Sequence, residues 1–242
     1  MRTIRIYQPG PYAVGESLEL SATASQHVGV VLRMQPDDEL TLFSGENSEF
    51  SAKITNVQKK KVTVTLIAEH LVHRESPRHL HLAQAISKGD RMEWVIQKAV
   101  ELGVTSITPL FTTHCVVKLD AERLAKKQLQ WQAIAIAACE QSGRTQVPVI
   151  HPARSLNDYL SACDATMKLA LHPYAAKSWR DYTFSAGSIA LLIGPEGGLS
   201  DEEVSLAHAH DFQSLCLGPR VLRTETAAVV ALSVLQALAG DL

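Results

Sequence analysis

The sequence lacks the features that mark membrane, secreted and metal-binding proteins. It has no apolar run of about 18 residues, the length of a membrane-spanning helix, and no apolar signal segment near its start. Its four cysteines, Cys115, Cys139, Cys163 and Cys216, form no C-x-x-C pair, so neither a zinc site nor a disulfide framework is indicated. The pair His79-x-His81 has no acidic or cysteine partner at ligand spacing. These absences predict a cytoplasmic protein that uses neither a membrane nor a metal.

An excess of basic residues is also missing. The chain has 23 Lys and Arg against 25 Asp and Glu, a net charge of −2 at pH 7. Proteins that bind duplex nucleic acid non-specifically usually carry a basic patch, because neutralisation of phosphates supplies their affinity. If the substrate is RNA, its recognition must therefore be local. With 46% apolar and 20% charged residues among 242, the composition is that of an ordinary globular protein.

Residues 1–72 have the pattern of a small all-β domain, a barrel or a sandwich. One helix-like stretch, SQHVGVVLR at 25–33, follows the first strand. Short β-patterned runs separated by turn signals lie at 3–7, 39–43, 49–55 and 61–69. The polar segment HRESPRH at 73–79, which contains Pro77, is the predicted linker.

After the linker, strands alternate with helices. Predicted strands lie at 79–86, 105–111, 147–150, 167–172, 188–194 and 213–218, and predicted helices at 90–103, 120–141 and 224–240. Continuously apolar strands separated by helices predict a parallel sheet covered on both faces, and hence an α/β fold. The last helix is apolar all round, which predicts that its outer side packs against a second copy of the chain in a homodimer.

Two of the predicted strands end in glycine-rich turns, IGPEGGLSDEE at 193–203 and LGPRVLRTETA at 217–227. Ligands of open α/β sheets bind beyond the carboxyl ends of the strands, so two such turns on neighbouring strands predict a binding site. The alternative is that both turns only connect a strand to a helix and bind no ligand. Thr224 or Thr226 would then simply cap the last helix.

The charge around the first turn narrows the class of ligand. Ser200 and Glu203 have the spacing of a capping box, and the acidic first turn of that helix disfavours a pyrophosphate. Neither a P-loop nor a G-x-G-x-x-G motif is present. These observations predict a nucleoside without phosphates, held by main-chain groups at Gly194, Gly197, Gly198 and Gly218.

Both turns resemble motifs of the RsmE family, the ribosomal small-subunit RNA uridine N3-methyltransferases of the SPOUT class. The segments QHVGVVLRM and DDELTLFSG resemble the amino-terminal barrel of that family, and SKGDRMEWVIQKAVELGVTSITPLF resembles the entry to its catalytic domain. AIAACEQSGRTQVPVI resembles its central helix and strand, so the resemblance covers essentially the whole chain. One departure is Thr113-His114-Cys115, where His114 replaces the arginine of many members.

The resemblance implies an amino-terminal PUA-like RNA-binding β-barrel at 1–72 and a SPOUT methyltransferase domain with a deep trefoil knot at 73–242. It implies a dimer that transfers a methyl group from S-adenosylmethionine to N3 of a uridine in 16S ribosomal RNA, within the small ribosomal subunit. The predicted cofactor-binding residues are Leu171, His172, Ile193, Gly194, Pro195, Glu196, Gly197, Gly198, Leu217, Gly218, Leu222, Arg223, Thr224, Thr226 and Ala227.

The chemistry of N3 methylation selects the candidate catalytic residues. Uridine N3 is a poor nucleophile while it is protonated, so the site must favour the anion through cations, N–H donors or a base. The predicted catalytic residues are Arg223, Arg5, Glu140 and Arg144, with Glu196 as a further candidate. For each of them, a capping or interface ion pair is an equally good interpretation.

Two other classes of function compete with this one. The first is a non-catalytic RNA-binding factor for ribosome assembly, which would have no use for the retained glycines and the LRTETA segment. The second is an ordinary nucleotide-dependent enzyme on a doubly wound sheet. The absence of phosphate-binding motifs argues against that enzyme.

Overall fold

The structure, a computed structural model, describes residues 4–58, 61–117, 120–184 and 187–242. The predicted α/β class is confirmed, and the chain forms two compact units. The first unit comprises the chain up to Glu75 together with Cys139–Val147, and the second comprises Ser76–Ala138 and Pro148–Leu242. The sequence prediction placed a single boundary after residue 72. The assignment of Cys139–Val147 to the first unit differs from that simple division.

The first unit is built on a five-stranded sheet in the order β1-β3-β4-β5-β2. The parallel pair is β1 with β3, and the other neighbours are antiparallel. Buried and partly exposed side chains alternate along the first seven residues of β4, as expected of a strand with one face on the core. The strands are β1 (Arg5–Tyr7), β2 (Ser17–Glu19), β3 (Glu39–Phe43), β4 (Ser48–Gln58) and β5 (Lys61–Leu71).

Two features of this unit differ from the sequence prediction. The strand β2 was missed, because three residues are too short to show a periodic pattern. The helix-like stretch at 25–33 begins earlier than predicted, as helix α1 (Ala22–Gln26), and continues as a π-helical turn at His27–Val31. Residues 1–3, which include the start of the first predicted strand, lie outside the described residues.

The second unit contains a parallel sheet in the order β12-β10-β11-β6-β7-β8, with β9 also pairing with β7. Its strands are β6 (His79–Ala85), β7 (Ser106–Phe111), β8 (Val149–Ile150), β9 (Arg154–Ser155), β10 (Met167–Leu171), β11 (Ser188–Ile193) and β12 (Gln213–Leu215). Its helices are α2 (Arg91–Glu101), α3 (Ala121–Ser142), whose last residues belong to the first unit, α4 (Leu156–Ala162), α5 (Asp201–Ala209) and α6 (Thr224–Ala239), with a short 3₁₀ turn at Trp179–Asp181.

The strand order corrects one prediction. The two glycine turns follow β11 and β12, which were expected to be neighbours, but β10 lies between them. Because all three strands are parallel, their carboxyl ends still lie along the same edge of the sheet. The turns therefore approach a common site without being adjacent.

Helix α6 packs one face against α2 and β11. Arg223 is its N-cap, with no side-chain capping bond, so neither Thr224 nor Thr226 caps the helix. Near its other end, Gln236 is buried and its Nε2 donates to the carbonyl of Leu102 at the end of α2, at 2.7 Å. Gly103, at φ +79°, follows directly, and a Cβ there would lie 2.4 Å from that Nε2. No helix in the described part of the chain has the length and apolar character needed to cross a bilayer.

Candidate active site

A cavity of about 710 Å³ opens at the carboxyl edge of the seven-stranded sheet. Its walls come from the ends of β10, β11 and β12 and from the segment that leads into α6. Its volume lies within the range of roughly 300–1,000 Å³ that is typical of small-molecule sites. All the predicted cofactor-binding residues line it except Thr226, which is exposed on the first turn of α6.

The turn after β11 is closed so tightly that its first residue must be glycine. A Cβ at Gly194 would lie 2.9 Å from the backbone nitrogen of Leu199, closer than such atoms approach in real proteins. Within the turn, the N–H of Gly198 donates to the carbonyl of Pro195 at 2.9 Å. Beyond it, Ser200 and Glu203 form the predicted capping box at the start of α5. The glycines therefore shape the turn, and part of their main chain is already bonded within the protein.

A buried chain of hydrogen bonds joins this turn to α6 and to the middle of the sheet. The hydroxyl of Thr224 donates to the carbonyl of Gly194 at 2.7 Å, and Gln84 Nε2 on β6 donates to that hydroxyl oxygen at 3.0 Å. Both side chains are almost wholly buried. Because breaking buried hydrogen bonds is costly, these two bonds fix the start of α6 relative to the glycine turn. Sequence reasoning did not single out Gln84, since a lone glutamine in an apolar strand carries no motif.

The second glycine turn contributes Gly218 to the cavity wall. Gly218 has φ +142°, a conformation that side chains of L residues rarely adopt, and a Cβ there would meet no atom within 4 Å. Its N–H lies 3.4 Å from the sulfur of Cys216, which holds the turn from within. A larger side chain at this position would strain the backbone and project into open space beside the cavity.

Charged groups from three elements meet at the rim of the cavity. Arg91, the first residue of α2, donates to Glu196 Oε1 at 2.7 Å, and its Nε lies 3.7 Å from Glu225 Oε1. Burial acts to raise the pKa of Glu196, but the backbone N–H groups of Glu196 and Lys88 and the Arg91 guanidinium hold the pKa below its usual value. Arg91 thus links the glycine turn to α6. It was missed in the sequence, because it lies far from both turns along the chain.

His114, the position that departs from the family pattern, packs against the glycine turn that follows β11. Its Nδ1 is 3.0 Å from the carbonyl oxygen of Gly198, and its Cβ is 3.0 Å from where a Cβ of Gly197 would lie. The preceding N–H, that of Thr113, donates to Glu203 Oε1 at 2.7 Å. The segment before α3 therefore supports the outside of the turn.

The predicted catalytic residues fall into two groups. Arg223 is exposed and lines the cavity of the second unit. Arg5, Glu140 and Arg144 all belong to the first unit, where they lie close together. Arg5 forms an ion pair with Glu49, and its Nη2 donates to the carbonyl of Arg144 at 3.0 Å.

The remaining contacts of this group are extensive. Arg144 donates to Glu75 Oε2 through both Nε and Nη2, at 2.9 and 2.6 Å. Glu140 accepts the backbone N–H of Tyr7 at 3.0 Å, and burial raises the pKa of its carboxyl group. Each side chain thus has a structural partner within the first unit. Their catalytic roles stay predictions.

A second cavity, of about 410 Å³, lies at the opposite, amino-terminal edge of the same sheet. It contains His79 and His81, the pair considered in the sequence as metal ligands, together with His151. Burial lowers the pKa of His81 to about 4, and the charges of His151 and Arg154 contribute to this shift. Among the described residues, no three His, Cys, Asp or Glu side chains are grouped as a metal site.

Comparisons with known proteins agree with the cavity and the motifs. A family model described as an RNA methyltransferase domain matches residues 74–236, and one described as an RNA methyltransferase PUA domain matches residues 20–67. The ribosomal RNA small subunit methyltransferase E of Buchnera aphidicola is 34% identical over 242 residues, which cover 100% of this chain and 98% of that protein.

Two solved structures are similar over nearly the whole chain. A Legionella pneumophila structure described as a methyltransferase in complex with SAM is 57% identical, with a TM-score of 0.98 and 100% of both chains covered. The Neisseria gonorrhoeae ribosomal RNA small subunit methyltransferase E bound to S-adenosyl methionine is 37% identical, with a TM-score of 0.93 and 99% of both chains covered. The predicted resemblance is confirmed, and this chain belongs to the ribosomal RNA small subunit methyltransferase E family.

Proposed function

We propose that this protein transfers a methyl group from S-adenosylmethionine to N3 of a specific uridine in 16S ribosomal RNA of the small ribosomal subunit. The observation that carries the proposal is the cavity built from the two glycine turns that also hold the family motifs. The two solved relatives with bound cofactor support the choice of S-adenosylmethionine. The ribosomal substrate is supported by the family to which the chain belongs.

The residues of the cavity fit this cofactor. Leu171 and Ile193 offer apolar surface to an adenine ring, and the glycine turns let a ligand approach the main chain. The carboxylates of Glu196 and Asp201 suit a cationic sulfonium and disfavour a ligand that bears phosphates. When bound, S-adenosylmethionine supplies a methyl group on positively charged sulfur that a nitrogen nucleophile can accept.

We assign to Arg223 the stabilisation of negative charge on the uracil ring. Loss of the N3 proton spreads charge onto O2 and O4, where a positioned cation lowers the barrier. Arg223 directly precedes α6 and lines the cavity, and its side chain makes no hydrogen bond or ion pair with another described residue. Its guanidinium donors are therefore available to a substrate oxygen. Arg5, Glu140 and Arg144 remain candidates for a supporting role in the first unit.

The proposal includes a division of work along the chain. Residues 1–72 form a PUA-like RNA-binding β-barrel, and residues 73–242 form a SPOUT domain with a deep trefoil knot that binds the cofactor and forms a homodimer. The PUA match at 20–67 supports the RNA-binding part, and the methyltransferase match at 74–236 supports the catalytic part. The protein would act in the cytoplasm, where its ribosomal substrate is made.

Nucleoside mass spectrometry of 16S ribosomal RNA tests the proposal. Cells that lack the protein should lose one 3-methyluridine, and the intact chain should restore it. Gly218→Leu, which strains the cavity wall, should fail to restore it, whereas the exposed change Glu122→Gln on α3 should succeed. An unchanged content of 3-methyluridine would contradict the proposal. Loss of a different methylated nucleoside would keep a methyltransferase but overturn the N3 assignment.

A further inference from the structure

The carboxylate of Glu225 is a charged group of the cavity wall whose hydrogen bonding is incomplete. Glu225 lies in the first turn of α6, and its side chain is 16% exposed. Its Oε2 is fully buried and accepts no hydrogen bond from any described residue. Among the described residues, the contact of Oε1 is the long one of 3.7 Å with Arg91 Nε, which is beyond hydrogen-bonding distance. Within the described part of the chain, neither oxygen has the hydrogen-bond donor that a carboxylate removed from water normally receives.

The neighbouring acid Glu196 differs from Glu225 in its hydrogen bonding. Glu196, on the same rim, accepts Arg91 Nη1 at 2.7 Å and the N–H of Lys88 at 3.0 Å. Arg91 therefore forms its short hydrogen bond with Glu196, whereas it interacts with Glu225 mainly through electrostatic attraction. A carboxylate that is under-bonded, partly removed from water and located on a ligand cavity is suited to accept a proton from a ligand N–H. Rotation about the last side-chain bond exchanges the two oxygens, so either one can face the cavity.

We infer that Glu225 is the base that accepts the N3 proton of the target uridine. This inference rests on the proposed function, which requires that proton to leave before N3 can act as a nucleophile. The N3–H bond breaks, its electron pair stays on N3, and an O–H bond forms on the carboxylate of Glu225. The proton passes to solvent after the product leaves. Arg223 stabilises the resulting charge on the ring oxygens, so base and cation come from the same short segment.

Other titratable groups border the same cavity and bear on any pH dependence. They come from the start of α2, from both glycine turns, from the start of α5 and from the segment that follows β10, and they are Arg91, Glu196, Arg220, Arg223, Asp201, His172 and Tyr174. Of these, Glu196 is already bonded to Arg91 and to backbone, and arginines stay charged at all working pH values. Asp201, His172 and Tyr174 are therefore the groups that control substitutions must distinguish from Glu225.

The test compares the full chain with Glu225→Gln, Glu225→Asp and the exposed control Glu122→Gln, using small ribosomal subunits as the substrate. We expect Glu225→Gln to lower kcat about 100-fold or more, in the range of a lost general base. Its kcat should rise about tenfold for each pH unit, because hydroxide must then remove the proton. Glu225→Asp should restore part of kcat and the shape of the wild-type pH profile. Calorimetric affinity for S-adenosylmethionine and the thermal midpoint should stay near the wild-type values.

Each contrary result identifies what fails. If wild-type protein forms no 3-methyluridine, the proposed function fails and the inference falls with it. If wild type forms it and Glu225→Gln keeps a similar kcat, only the inference is overturned. A kcat loss with an unchanged pH profile, or one explained by lost affinity for S-adenosylmethionine, would make Glu225 a structural or cofactor-positioning residue and would also overturn it. Asp201→Asn, His172→Gln and Tyr174→Phe test whether one of these groups, and not Glu225, causes the pH dependence of wild-type kcat. If one of them does, Glu225 is excluded as the base.

Discussion

Among single residues, His81 shows how burial changes protonation. Its ring stacks on Tyr159 with ring centroids 5.5 Å apart, and its Nδ1 lies 2.6 Å from Ser106 Oγ. Burial, with the charges of His151 and Arg154, lowers its pKa from 6.5 to about 4. The folded protein therefore holds a neutral imidazole in surroundings that disfavour the cation.

This shift predicts a pH dependence of the free energy of unfolding. As pH falls below about 6.5 the unfolded chain takes up the proton first, so stability is fully present above that pH and is lost toward pH 4. Between about pH 7 and pH 5 this residue should account for a loss of about 2 kcal/mol. Urea unfolding at both pH values measures this loss. On going from the higher to the lower pH, His81→Gln should lose about 2 kcal/mol less stability than wild type. The exposed change His79→Gln should behave like wild type, and equal losses in all three proteins would contradict the prediction.

At the scale of elements, the carboxylate of Glu75 accepts hydrogen bonds from the segment that follows α3. Glu75 Oε1 accepts the backbone N–H groups of Thr145 and Gln146 at 3.0 and 3.1 Å, and Oε2 accepts two bonds from Arg144. The side chains of Glu75 and Arg144 are only 15% and 6% exposed. This set of bonds explains why Cys139–Val147 groups with the first unit although it is distant in sequence.

Removing the charge of Glu75 should therefore destabilise the first unit. Glu75→Gln removes the charge that accepts two hydrogen bonds from the buried guanidinium of Arg144, and breaking a buried ion pair of this kind typically costs about 3–5 kcal/mol. Chemical unfolding should show a loss of this size, whereas Glu122→Gln, an exposed pair with Lys126, should change stability by less than about 1 kcal/mol. Equal effects of the two substitutions would show that the buried pair contributes little.

At the scale of the whole molecule, α6 supports the expectation of a homodimer. No charged residue occurs between Thr226 and Ala239, yet only one face of the helix is fully buried within the chain. Val230 lies opposite that face and is partly exposed. An uncharged helix surface of this kind is usually covered by a partner.

The expected dimer is testable by light scattering. The full chain at micromolar concentration should have twice the 26.4 kDa mass of one copy. Val230→Glu should shift the mass toward one copy, because a charge buried at the interface lacks a partner. The control Leu129→Glu, at a residue of α3 that is 73% exposed, should stay dimeric. A single-copy mass for the unaltered chain would refute the dimer.

The sequence by itself determined the α/β class, most helices and strands, the two glycine turns and the family. These properties are local: apolar periodicity sets each element, a capping box begins α5, and a motif is read from consecutive residues. The missed elements, β2, β9 and α4, are short, so little pattern accompanied them. For the same reason, all the predicted cofactor residues could be chosen from the two turns and the end of one strand, and all of them except Thr226 line the cavity.

Only the tertiary structure decided how these elements are assembled. It inserted β10 between β11 and β12, grouped Cys139–Val147 with the first unit, and brought Arg91 to Glu196 and Glu225, which lie more than 100 residues away. Strand order and ion pairs of this kind depend on packing between distant segments, and no local pattern records that packing. The composition of the glycine turns was readable in advance, but the incomplete hydrogen bonding of Glu225 among the described residues was not.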